Sequence, residues 1–158
     1  MTRAAHLLAA MTGAHINAEL SEDIRLDLWK KFIFISSVGG LTALTQLSLD
    51  EILSVAETRS LLVRAMQECE SIALAQGIRI EPEFINATLE VLRGFNPDTR
   101  SSLYYDLVHG KPMEVEALPG TVVRLGRRLG IATPVHETIF ASLLPYHLKH
   151  GGTTSHKP

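Results

Sequence analysis

Residues 22–43, EDIRLDLWKKFIFISSVGGLTA, constrain this chain more than any other stretch, because they form a run with almost no polar face that still carries two lysines in its middle. A helix lying on a domain surface keeps its apolar residues on a stripe of roughly a third of its circumference. Here Leu26, Leu28, Trp29, Phe32, Ile33 and Ile35 surround the axis, which predicts a central buried helix over about residues 22–38. Lys30 and Lys31 interrupt the run, so no stretch reaches the ~18–20 apolar residues of a membrane span.

The two lysines have different neighbours at helical spacing. Those of Lys30 include Asp23, Asp27 and Ser37; those of Lys31 are Ile24, Leu28, Phe34, Ile35 and Val38, with Asp27 the one charge among them. Burial disfavours an ammonium charge and makes a lysine a readier proton donor. The residues leave Lys31 open to two roles. It is either a proton donor in an apolar site, or a structural side chain that pairs with Asp27 or lies along apolar surface with its head in water.

The remaining segments are also helical in pattern. Residues 3–13 end at Gly13, and Ser21 precedes the acidic turn Glu22–Asp23 as a cap for the central helix. Gly39 and Gly40 mark either a break in that helix or a close approach by a backbone or ligand. Ser48 and Glu51 have the capping-box spacing, and a longer helix follows over about 56–76, with Leu61, Leu62, Ala65, Cys69, Ile72 and Ala73 on one face and Gly77 closing it. Ile78–Ile80 is expected to be briefly extended, and a helix over 84–92 follows Pro82.

Asp98 is the expected cap of a helix to about Val108, Pro119 sets the start of the next near Leu118, and Thr133 with Pro134 opens the last, which runs to about Lys149. No strand-period alternation of useful length appears. The fold class is therefore all-α, a single domain of about six to eight helices over residues 1–149, followed by a polar tail, 150–158, expected to be disordered.

At 158 residues the chain fits one domain with an ample core. Its net charge of -2, with both signs interspersed, gives no field for nucleic acid or an anionic membrane. Arg124, Arg127 and Arg128 read as one solvated helix face. The one cysteine, Cys69, excludes an intramolecular disulfide and fits a reducing, cytoplasmic setting, and its neighbours Glu68 and Glu70 disfavour a reactive thiolate. The N-terminal segment is amphipathic and offers no convincing signal-cleavage site. No GxGxxG, P-loop, HExxH or CxxC motif is present, and His147 with His150 reads as a surface pair rather than a metal site.

Four blocks in order, LWKKF followed by LTAL, then RSSLYYDL, then GKPMEVEALPGTVVRLGRRLGIATP, resemble the C-terminal domain of ketopantoate reductases, or 2-dehydropantoate 2-reductases, over about residues 2–148. The resemblance implies an NADP-dependent reduction of a 2-keto acid, ketopantoate to pantoate in pantothenate biosynthesis or a related reaction. It puts the general acid on Lys31, the substrate-binding serine on Ser102, and the glutamate near the nicotinamide ribose and the lysine on Glu114. Family members carry asparagines one and two turns after the lysine, where this chain has Ile35 and Gly39. An isoleucine offers no hydrogen bond, so the expected substrate extends to a smaller or more apolar 2-keto acid.

Family enzymes begin with a Rossmann domain that holds the NADP pyrophosphate. NADPH is therefore expected to bind only with such a domain supplied from elsewhere, by the same gene or a separate chain, and the chain alone is expected to be inactive. The alternative is a non-catalytic dimerisation or binding module that keeps the fold; a homodimer fits either case.

Overall fold

The computed structural model describes residues 2–154. Among them it contains eight helices and no strand, a single all-α domain: α1 (Arg3–Gly13), α2 (Ile24–Thr45), α3 (Leu49–Ser54), α4 (Ala56–Ala75), α5 (Phe84–Arg93), α6 (Ser102–Val108), α7 (Pro119–Leu129) and α8 (Pro134–Lys149). α2 is the axis, packed against α4, α6 and α8, while α7 lies against α8 and α4.

The buried part of α2 is not where its apolarity suggests. Ile24 and Leu28 remain 60% and 57% exposed, whereas Ile33 is buried and the continuous buried run extends from Ser36 to Ala43. The helix therefore enters the core with its C-terminal half, through small residues, and leaves its bulky N-terminal half at the surface. It continues unbroken through Gly39 and Gly40. A Cβ on Gly40 would stand 2.9 Å from the Ile139 side chain, so close approach by α8, rather than a break, accounts for that glycine.

Local chemistry sets the helix ends, with some corrections. Asp23, not Ser21, caps α2, its carboxylate accepting from the backbone N–H groups of Arg25 (3.0 Å) and Leu26 (3.1 Å), while the Ser21 hydroxyl donates to Asp27. The Ser48/Glu51 capping box forms as expected and opens α3. α6 is capped by Ser101 and not by Asp98, whose own N–H donates to the Asn96 side chain in the preceding turn. Pro119 and Pro134 each sit in the first turn of a helix, where the missing N–H costs nothing.

At α8 the expected cap, Thr133, makes no side-chain capping bond. The Glu68 carboxylate reaches across from α4 instead, accepting from Val135 N (2.7 Å), His136 N (3.0 Å) and His136 Nδ1 (2.7 Å). With Nδ1 donating, His136 Nε2 is left to accept from the Cys69 thiol at 3.6 Å. His136 and Cys69 are fully buried, so this chain of hydrogen bonds fastens α8 to α4 inside the core.

Burial, with the Glu68 charge adding to it, pushes the Cys69 thiol far above the usual thiol range. The folded protein is therefore expected to resist iodoacetamide at about pH 8 and to label only on unfolding. Its stability is expected to fall above about pH 8.5, where the unfolded thiol ionises and the folded one does not. Mass spectrometry of labelled protein and denaturation midpoints across that range check both.

His147 is buried rather than part of a surface pair. Its Nδ1 accepts from Met113 N at 3.0 Å, and its Nε2 donates to the Thr153 carbonyl at 3.1 Å. Residues 150–153 thus turn back along the end of α8, with Gly152 N donating to the His147 carbonyl at 2.9 Å. Of the expected tail, residues 155–158 lie outside the described residues.

Candidate functional site

The spacing of α2 places Ile35, Val38, Gly39 and Thr42 along one side of the helix, and this side forms the wall of a cavity of about 270 Å³. The opposite wall comes from the stretch between α5 and α6 (Phe95, Thr99, Arg100, Ser101), from the start of α6, and from Glu114 and Leu118 before α7. Ser101 holds the two walls together. Its hydroxyl caps α6 by accepting from Tyr104 N (3.1 Å), lies 2.6 Å from the Thr42 hydroxyl, and reaches the Gly39 carbonyl at 3.3 Å. Ser101 is thereby engaged in structure, and its neighbour Ser102, exposed at the cavity, is free among the described residues.

Ser102 and Glu114 therefore line the same cavity as positions 35 and 39 of α2. Glu114 is exposed and its carboxylate makes no hydrogen bond among the described residues. Lys31 does not line the cavity; it lies one helical turn before Ile35 and is exposed. The apolar burial expected around Lys31 is absent, because its helical neighbours Ile24 and Leu28 are themselves exposed. Asp27 does not pair with it either, being bonded to Ser21.

The adjacent lysines divide accordingly. Lys30 Nζ is tied to Glu81 at 2.8 Å and lies 5.9 Å from the Phe84 ring centroid, and that bond holds the Glu81 carboxyl below its usual range. Lys31, one turn before Ile35, is exposed and makes no ion pair among the described residues.

Two contributors are not evident from the periodicity of the sequence. Phe34 and Phe95 meet across the cavity with ring centroids 6.3 Å apart. Arg100 lines it as well, with its guanidinium 5.3 Å from the Tyr104 ring, Nη1 donating to the Asp98 carbonyl at 3.2 Å, and Nη2 3.6 Å from Glu51. Its Nε is buried without a partner. The signal for Arg100 was its place directly before Ser101–Ser102, where a turn residue and a site residue look alike. A wider groove of about 570 Å³ lies between α4 and the start of α8, but its carboxylate, Glu68, is already fully bonded.

Among the described residues no group of three or more metal-ligating side chains converges, and no helix is long and apolar enough to cross a membrane.

Residues 23–147 match the family described as "Ketopantoate reductase PanE/ApbA C terminal". The oxidoreductase YkpB of Bacillus subtilis is 28% identical over 87% of this chain and 45% of its own length. A 2-dehydropantoate 2-reductase of Nostoc sp. PCC 7120 is 29% identical over 82% of this chain and 40% of its own. A PanE/ApbA family ketopantoate reductase of Ralstonia eutropha JMP134 superposes with a TM-score of 0.83, at 28% identity, over 92% of this chain and 49% of that one.

Fold and matches together define the class, the helical domain of a family of oxidoreductases. More narrowly, the chain belongs to the ketopantoate reductase family, whose C-terminal domain it matches. It spans about two fifths to one half of the length of these relatives.

Proposed function

We propose that this chain is the substrate-binding and acid-supplying part of an NADP-dependent reductase of 2-oxo acids, ketopantoate or a relative of it. The observation that carries this reading is that Ser102 and Glu114 line one cavity with α2, one turn past an untethered Lys31. Ser102 binds the oxo acid. Lys31 serves as general acid toward the ketone oxygen. Glu114, an unengaged acceptor at the mouth, orients the ammonium and accepts from the nicotinamide ribose.

When bound, NADPH supplies the hydride. The carbonyl π bond opens as its carbon gains that hydride and its oxygen takes a proton from Lys31 Nζ. A 2-hydroxy acid results, and the amine recovers its proton from water. The residues of this chain suit only the nicotinamide end of the cofactor, since the sequence offers no glycine-rich turn for a pyrophosphate. A Rossmann domain supplied from elsewhere holds that part, and the chain alone does not turn over.

A non-catalytic assembly module remains the alternative because of the exposed apolar side chains of Leu7, Ile16, Leu20, Ile24 and Leu28 at the N-terminal end. α1 buries none of its residues, so this end presents a surface for a second copy or a second domain.

The test mixes this chain with a family Rossmann domain and follows NADPH oxidation with a set of 2-oxo acids. Turnover that needs both parts supports the proposal. A folded complex that oxidises no NADPH with any of them favours the assembly module.

A further inference from the structure

The cavity described above segregates its chemistry, and the segregation specifies a substrate. On the α2 side the wall is Phe34, Ile35, Val38 and Gly39, and Phe95 and Leu118 face it from the other side. Its one hydroxyl, Thr42, is already engaged, 2.9 Å from the Val38 carbonyl and 2.6 Å from Ser101. A substrate hydroxyl placed against this wall would be desolvated with no partner, which disfavours it relative to a methyl group. The wall also has room. A Cβ at Gly39 would meet nothing within 4 Å, so the space there is open to a branched or aromatic group.

The polar groups lie on the other side, Thr99, Arg100, Ser101, Ser102 and Glu114, of which Ser101 is engaged with Thr42 and Gly39. Arg100 is held in place by Tyr104 and the Asp98 carbonyl, with Nη2 3.6 Å from the exposed Glu51 carboxylate, and its side chain is 25% exposed. A guanidinium held in a fixed position at the cavity wall, and still partly exposed there, is suited to a carboxylate.

We infer, on the reading that this chain binds a 2-oxo acid, that its substrate carries a bulky apolar substituent without a hydroxyl, seated on Phe34, Ile35 and Phe95, with Arg100 and Ser102 holding the carboxylate. Arg100 is then a specificity residue of this cavity, and the substrate is larger on its apolar side than a short oxo acid such as pyruvate.

The test is a calorimetric titration of this chain with trimethylpyruvate, ketopantoate and pyruvate. The first two differ by a single hydroxyl, so their ratio isolates the wall. Trimethylpyruvate is expected to bind about 10- to 100-fold more tightly than ketopantoate, the range in which an apolar pocket rejects an added hydroxyl. Ile35→Asn should narrow that ratio by restoring a hydrogen-bonding group. Arg100→Met should weaken every acid about tenfold or more without changing the ratio, and Arg100→Lys, which keeps the charge but loses the fork, should recover part of the loss. Circular dichroism checks that each variant is folded.

Ketopantoate binding as tightly as trimethylpyruvate, or pyruvate equalling both, would overturn this inference and leave the 2-oxo acid reading standing. Binding of none of the acids would overturn both. An unchanged affinity in folded Arg100→Met and Arg100→Lys variants would remove Arg100 from the site.

Discussion

Lys31→Ala, in an enzyme completed by a nucleotide-binding domain, is expected to lower kcat by roughly 10²- to 10⁴-fold, the usual contribution of a positioned general acid. KM should change little, because in the proposed mechanism the ammonium acts where negative charge develops on the ketone oxygen and not in holding the ground-state acid. Stability should stay within about 0.5 kcal/mol, since Lys31 is exposed and makes no ion pair.

The adjacent lysine provides the control. Lys30→Ala removes the bridge to Glu81 and the contact with Phe84, both at the surface, and is expected to leave kcat within a few-fold of wild type. A loss below about tenfold in Lys31→Ala would take the proton-donor role away from this residue.

Glu68→Ala is expected to cost about 3–5 kcal/mol of folding stability, a large share of the ~5–15 kcal/mol typical of a domain. Glu68 supplies the acceptors for two buried backbone N–H groups of α8 and for His136 Nδ1. Alanine removes the acceptor of all three donors, and Thr133 makes no side-chain capping bond that could replace it. Glu68→Gln keeps one acceptor oxygen and should lose roughly half as much. In thermal unfolding followed by circular dichroism, Glu68→Ala should lower Tm by roughly 10 °C. A fall of about 2 °C or less would mean that the α8 terminus finds other acceptors.

The difference between what the sequence revealed and what it hid follows from the range of the interactions. Helix ends depend on residues three or four positions apart, and these were legible in the Ser48/Glu51 box and in the first-turn prolines 119 and 134. The α8 cap was not, because its acceptor stands sixty-seven residues away on α4. The same distance hid the His136–Cys69 contact, although the position of Cys69 on the inner face of α4 was readable from its period.

α2 shows the opposite failure. Its all-round apolarity predicts burial along its whole length, yet Ile24 and Leu28 are exposed and the core is reached through Gly39, Gly40 and the small residues around them. Periodicity reports that a face is apolar but not which partner covers it. Lys31 lies on the same exposed half of α2 as Ile24 and Leu28, so the burial argued from its neighbours is missing. Ser102 and Glu114, by contrast, were placed by resemblance alone, and nothing in their own spacing pointed to a common cavity.

The proposed function requires α2 and the segment from Thr99 to Glu114 to form one site for a 2-oxo acid. Amide shift mapping of this chain by NMR during titration with trimethylpyruvate tests that most directly. Shifts confined to residues 34–39, 99–103 and 114 are the predicted result. Shifts clustered instead in the groove between α4 and α8, or no shifts at all at saturating acid, would contradict it.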